Sequence, residues 1–401
     1  MRPTHPSADH TPGSGGTATG AESATAATAV ARARDAACGY WRRRGLPTEP
    51  HQVVAAPGAP LLLLALLGAA GGGVVLPRPC AEWYAPQAHL LGRPVHPVPV
   101  PPESGGVPDP FTLLETVRRA RADGGDPRVL LLSVADETTG TAPPPELVHE
   151  VCEAAVAAGL LVVSDETWRD TFHRPHGTVV VSPAEILPEP APVPVVVLLG
   201  LGGADPALTT AFARLPAGAR GEELAGAVRR ALAGLRVDLP PDAAEAAARA
   251  LDEPPEVCRR RAERARLHGA LAGALCRAVV AAGGLCRPPH AGRHLYVDLE
   301  PRRAALAARG VAGAPGLEAV LVRRLGPYVG GGHRFGDDPR DLRVRLDTAL
   351  LADAARRAGA GPAGGEDDDP LSHPAVRDRL RELHTVLAEL TGAETDDGSG
   401  P

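Results

Sequence analysis

No lysine occurs among the 401 residues, so all 42 residues in the Lys/Arg count are arginine. Arginine stays protonated and forms no imine, so chemistry that runs through a side-chain primary amine has no residue to run on. For surface positions, a genome that favours arginine codons accounts for the bias, and it also accounts for the abundance of Ala, Gly and Pro. Cysteine is scarce as well. Cys38, Cys80, Cys152, Cys258, Cys276 and Cys286 form no CxxC pair, which removes the usual zinc spacing. They are expected to be reduced packing thiols in a cytoplasmic protein. No apolar run reaches the roughly 18 residues of a membrane span. The longest, 61–67, is closed by Pro60 and Gly68, and the N-terminal stretch lacks the apolar block of a signal peptide. The net charge of -6 leaves no electrostatic footprint for nucleic acid. Neither a membrane nor a nucleic acid is expected as a partner.

What is present reads as an α/β protein. Residues 1–28 are Thr, Ser, Ala, Gly and Pro, too poor in branched and aromatic side chains to offset ordering entropy, and are expected to be disordered. Residues 29–50 read as an N-terminal arm whose helix stops near Gly45-Leu46-Pro47. Over 51–235 short apolar strands (53–54, 74–76, 129–134, 160–163 and 195–199) alternate with helical stretches such as 111–122 and 146–158. Continuous apolar strands between helices predict a mostly parallel sheet covered on both faces. Over 236–352 long helical stretches and the strands 294–299 and 342–346 predict a smaller α+β domain. Residues 353–401 read as a Gly/acidic linker followed by an amphipathic helix over 374–390, with Val376, Leu380, Leu383, Val386 and Leu387 on one side. That tail is either a solvated appendage or a docking helix.

A set of short motifs runs through this frame in order. They are Tyr40-Trp-Arg-Arg-Arg-Gly-Leu46, Val53-Val-Ala-Ala-Pro-Gly-Ala-Pro60, Leu76-Pro-Arg-Pro79 followed by Trp83-Tyr84 and Leu91-Gly92, the 130–141 segment ending in Ala135-Asp-Glu-Thr-Thr-Gly-Thr141, Val162-Val-Ser-Asp-Glu-Thr-Trp168, the 287–298 segment ending in Leu295-Tyr-Val-Asp298, and the 330–335 segment followed by Leu342-Arg-Val-Arg345. Together they resemble the class I/II aminotransferases of the fold-type I pyridoxal-phosphate superfamily over roughly residues 30–350. The resemblance implies a fold-type I large domain with a smaller C-terminal domain, and a homodimer with its cleft near the interface. It also implies pyridoxal phosphate as a possible cofactor, and an amino acid or another small carboxylate as ligand.

The resemblance also says where the working parts should be. The cofactor phosphate would sit on backbone N–H groups at Gly58 and Ala59, but Pro60 removes one donor. Ala81 stands where an aromatic would stack on the ring, with Trp83 or Tyr84 as substitutes. Glu137 stands where an asparagine would meet the ring oxygen, and a carboxylate there would repel it. Asp165 matches the carboxylate that pairs with the pyridinium nitrogen, and Trp168 stands for the tyrosine that reaches the ring oxygen. The lysine position falls at about Gly203. Arg214 is the nearest arginine for the phosphate. Arg343 or Arg345 would bind the substrate carboxylate. Strand alternation is expected to turn only one of them toward the cleft, with the motif register favouring Arg343.

No catalytic residue and no covalent cofactor attachment follows from this set. The first functional reading is a family relative without conventional transaminase activity, acting as a ligand-binding or regulatory protein. The second is an unconventional enzyme of the family that binds the cofactor or an amino-acid adduct non-covalently through Asp165 and Arg343. A third places an acid/base or metal cluster at Glu137, Asp165, Glu166, His173 and His176.

Overall fold

A computed structural model describes residues 18–358 and 369–393. The chain runs through helix α1 (Ala18–Arg43), β1 (Val53–Ala56), α2 (Ala59–Ala70), β2 (Gly73–Arg78), α3 (Tyr84–Leu90), β3 (Val95–Pro99), α4 (Pro110–Ala122), β4 (Pro127–Ser133), α5 (Pro145–Ala158), β5 (Leu161–Asp165), α6 (Pro183–Ile186), β6 (Val195–Gly200), β7 (Ala211–Arg214), α7 (Ala219–Gly234) and α8 (Pro241–Asp252). The long α9 (Pro255–Ala281) leads into β8 (Leu285–Cys286), β9 (His294–Asp298), α10 (Arg303–Ala307), α11 (Ala314–Leu325), β10 (Val329–Gly331), β11 (Arg343–Asp347), α12 (Ala349–Arg357) and α13 (Pro374–Thr391).

Seven strands form the large sheet in the order β1-β7-β6-β5-β4-β2-β3. The pairings among β6, β5, β4, β2 and β3 are parallel, while β7 runs antiparallel to both neighbours. Helices cover both faces. One core gathers Val75, Leu130, Leu132, Val162 and Val197 with Val151, Ala155, Ala244 and Ala248. The other gathers Val74, Leu131, Val163, Val196 and Leu198 with Leu62, Leu66, Ala225 and Val228. This is why the strands read as unbroken apolar runs: a strand buried on both faces has no polar side to alternate with. The register places Ser133 beside Asp165 and Asp165 beside Leu198, so the loops after β4, β5 and β6 emerge together at the carboxyl edge of the sheet, where open α/β sheets hold their ligands.

Three expectations shift. The first helix begins at Ala18, inside the stretch expected to be disordered, and residues 1–17 lie outside the described residues. The expected domain boundary at 235/236 falls too early. Ala244, Ala247, Ala248 and Leu251 of α8 pack with Ala29, Ala33, Ala36 and Ala37 of α1 in the large-domain core, since facing alanines let two helices approach closely. The tail helix is a docked element. Val376, Leu383, Val386, Leu387 and Leu390 are buried among Leu271, Leu275, Leu317, Leu321 and Leu350 of the small domain. The linker expected between them falls largely at 359–368, outside the described residues. Val386→Ala should therefore cost about 2 kcal/mol, from the lost methyl groups and the space they leave. Denaturant unfolding measures it, and a cost within about 0.3 kcal/mol of zero would mean α13 is not part of the core.

The second, antiparallel sheet has the order β10-β11-β9-β8. Val344 and Leu346 of β11 turn into its core, and Arg343, Arg345 and Asp347 turn outward. The arm is tied down by charge. Arg44 stacks 3.5 Å over the Tyr40 ring and donates to Asp170 at 3.0 Å and to Glu253 at 2.6 Å, while the Tyr40 hydroxyl donates to Asp170 at 3.0 Å. Arg261 of α9 meets the same two carboxylates. Among the described residues no helix is long and apolar enough to cross a membrane.

Candidate functional site

Asp165 ends β5 and is 1% exposed. Burial pushes its carboxyl up to about 6, against the hydrogen bonds from Thr167 and Tyr84 that favour the anion. One oxygen accepts from the Thr167 N–H at 2.9 Å, and the other accepts from the Tyr84 hydroxyl at 2.5 Å. Tyr84 opens α3, is 3% exposed, and lies edge-on to Trp83 with ring centroids 4.5 Å apart. Burial and the neighbouring Asp165 push its hydroxyl well above the ordinary tyrosine range. It remains the donor of the pair.

Glu137, in the loop after β4, is engaged twice from within the chain. The Trp83 indole N–H donates to Oε2 at 3.0 Å, and Arg345 Nη1 lies 3.4 Å from Oε1. The Arg345 guanidinium also stacks 4.4 Å over the Phe335 ring. Arg343 faces elsewhere, to Asp298 at 3.1 Å and Asp337 at 3.2 Å. Of the two candidate arginines, Arg345 is the one that the fold brings to the loop after β4. Strand alternation does not separate the two, contrary to expectation. Residues two apart on a strand share a face, and 343 and 345 both lie outward. What separates them is distance along the strand and the acids beside each.

Gly58 caps α2, Ala59 and Pro60 begin it, and Pro60 offers no N–H. This helix end is packed against the end of β6. A Cβ added at Gly200 would lie 3.2 Å from the Ala59 Cβ and 3.0 Å from Thr167 Oγ1, and that hydroxyl accepts from the Gly200 N–H at 3.1 Å. At Gly203 a Cβ would sit 2.2 Å from the Thr167 carbonyl oxygen, so the position takes no side chain without moving the backbone. Arg214 is not at this edge. In β7 it pairs with Val197, at the start of β6, and donates to Thr48 Oγ1, the Pro47 carbonyl and Glu189, each at 3.0 Å.

Trp168 is buried against Gly292, edge-on to His294, and its indole N–H has no hydrogen-bond acceptor among the described residues. His173 puts its nitrogens on the carbonyls of Pro289 and Gly292, at 3.2 and 2.8 Å, and burial lowers its pKa. Glu166 is fully buried in an ion pair with Arg169 at 3.0 Å. The side chain of His176 lies outside the described residues. No group of three or more His, Cys, Asp or Glu among the described residues is arranged to hold a metal ion. Glu137, Asp165, Trp168 and the Gly58 turn lie at the ends of β4, β5 and β1, at the carboxyl edge of the sheet. The sequence did not reveal Tyr84 as the partner of Asp165 or Thr167 as the group closing position 203. The i, i+2 spacing of the two arginines was the signal that they share a face.

Solved structures of the fold-type I pyridoxal-phosphate class share this architecture. An aspartate aminotransferase from Thermus thermophilus with maleate aligns over 88% of this chain and 81% of its own, with a TM-score of 0.69 at 20% identity. An alanine aminotransferase from Pyrococcus furiosus aligns over 89% and 82% (TM-score 0.70, 16% identity), and an aspartate aminotransferase from Rhodobacter sphaeroides over 92% and 86% (TM-score 0.70, 18% identity). Residues 18–357 match the family model for aminotransferase class I and II, and the chain belongs to that family. No curated protein matches it.

The family normally uses pyridoxal phosphate, and the residues here fit that group poorly. Each oxygen of Asp165 already accepts a hydrogen bond from within the chain, one of them from the buried Tyr84 hydroxyl. The α2 terminus lacks a donor at Pro60 and is packed on β6. Position 203 is closed by a carbonyl. Among the described residues, the Trp168 indole N–H and the Thr138 hydroxyl are buried without a hydrogen-bond partner, and these leave a ligand atom something to meet.

Proposed function

We propose that this aminotransferase-family protein has lost conventional transamination and acts as a ligand-binding or regulatory protein. The observation that carries the reading is the closed backbone at Gly203 in a chain without any lysine. Without that amine there is no covalent anchor for a cofactor aldehyde and no base in its place. Loss of one general acid/base alone typically costs about 10² to 10⁴-fold in rate. Arg345 supports a carboxylate-bearing small molecule as the ligand, since a guanidinium fork matches a carboxylate. Localisation in the cytoplasm and assembly as a homodimer belong to the same proposal.

The test is spectroscopic. Purified protein mixed with pyridoxal phosphate should give no amino-acid-sensitive absorbance band and no adduct fixed by borohydride. A yellow protein that exchanges amino groups between an amino acid and a keto acid would overturn the reading. The unpartnered Trp168 N–H supports the second reading, non-covalent binding of an adduct. In that case Trp168→Phe should weaken adduct binding with the fold unchanged, and equal affinity would count against it.

The internal pair of Glu137 and Arg345 makes a further expectation. Glu137 occupies the arginine that a ligand carboxylate would need. Glu137→Gln should tighten binding of succinate by about tenfold, or about 1.4 kcal/mol, in isothermal titration. Unchanged binding would show that Arg345 is not a ligand site.

A further inference from the structure

Away from the cleft, two thiols meet at the edge of the small domain. Cys276 lies near the C-terminal end of α9, and Cys286 ends the two-residue edge strand β8. The Sγ atoms are 2.9 Å apart, and the Cys286 thiol also points at the Cys276 carbonyl at 3.6 Å. Both are free thiols, Cys276 buried and Cys286 half-buried beside the exposed Leu285. The turn between them passes through Gly283, whose φ of +75° suits glycine, and Gly284 packs against Leu299 and Val279. The turn thus brings β8 back against the end of α9. Closing a bond to the usual length of about 2.05 Å needs a movement of under an ångström.

We propose that Cys276 and Cys286 form a thiol–disulfide couple that takes up two-electron oxidation from a low-molecular-weight disulfide. The reacting order follows exposure. Cys286 loses its proton, and its thiolate attacks one sulfur of the oxidant, forming a mixed disulfide and expelling a thiolate. Cys276 then loses its proton and attacks the Cys286 sulfur, forming the Sγ–Sγ bond and expelling the second thiolate. Two protein thiols are oxidised, the oxidant is reduced to two thiols, and the two protons end on these. Burial and the neighbouring Cys276 push the Cys286 thiol up, so the first attack is slow. The second is intramolecular and fast, so the mixed disulfide does not accumulate. The bond would staple the end of α9 to an edge strand otherwise held by one neighbour.

The test uses the full chain equilibrated in reduced/oxidised glutathione buffers, quenched with iodoacetamide, and read by intact mass and peptide mapping. The exposed Cys258 serves as the internal contrast, since a solitary thiol stops at a glutathione adduct. The expected result is loss of alkylation at Cys276 and Cys286 together, with a fall of two hydrogen masses and no glutathione on either. Cys276→Ser should convert the outcome to a glutathione adduct on Cys286. A wild-type chain that stops at a glutathione adduct on Cys286 overturns the proposal. So does one in which both cysteines stay alkylatable in buffers that modify Cys258.

Discussion

Placing a lysine at position 203 is expected to destabilise the protein by about 3 kcal/mol and to restore no imine with pyridoxal phosphate. The Cβ of any residue there would lie 2.2 Å from the Thr167 carbonyl oxygen and 2.9 Å from its carbon. Both obstacles are backbone, so no rotamer change relieves them. Either the β6–β7 connection or the turn after Asp165 must move, and forced overpacking of this kind lies at the upper end of the usual range of about 1–3 kcal/mol. The turn is also poorly free to move. Thr167 donates its N–H to Asp165 and accepts the Gly200 N–H on its hydroxyl. The adjacent Ala204 carbonyl is held by the Arg264 guanidinium. Thermal and denaturant unfolding of Gly203→Lys measure the first part, and borohydride trapping measures the second. A variant with wild-type stability and a reducible yellow adduct would show that the fold still keeps the family's amine position open.

The second large effect is in pH. The Asp165 carboxyl sits at about 6 in the folded protein, against about 3.9 in an unfolded chain. The native state therefore holds the proton more tightly. The stabilisation from this group is complete below about pH 4 and is lost as pH rises through 6. A difference of about 2 pH units corresponds to about 3 kcal/mol. Asp165→Asn cannot ionise, yet its side-chain oxygen can still accept from Tyr84 or Thr167. Its stability relative to wild type should rise by about 2–3 kcal/mol between pH 4 and pH 7, read from urea unfolding at each pH. Parallel curves for the two proteins would mean that Asp165 stays ionised throughout and that Tyr84 stabilises the anion more than burial opposes it.

Much of the architecture was readable because burial on two faces writes itself into a strand as a continuous apolar run, as in Val195-Val-Val-Leu-Leu199. The strands that escaped notice lack that mark. Val95–Pro99 carries prolines tolerated only at a sheet edge. Ala211–Arg214 is half alanine, and Leu285–Cys286 is two residues long. Alanine-rich α1 gave no helical stripe before Ala29, because alanine carries helix propensity without hydrophobic contrast. Its interface with α8 is itself made of alanines.

The site divides along a physical line. Residue chemistry is local, so the chain by itself determined that no amine is present, that Pro60 gives up a donor, and that a carboxylate stands at 137 where an amide is expected. Partnership is not local. Tyr84 reaches Asp165 across 81 positions and Arg345 reaches Glu137 across 208. Tertiary packing decides which carboxylate each donor meets: α3 against the large sheet for Tyr84, and the small domain against the edge of that sheet for Arg345. The closure at Gly203 likewise depends on a carbonyl from another loop. A sequence can show that a part is missing, but the tertiary structure decides whether its place was left open or filled.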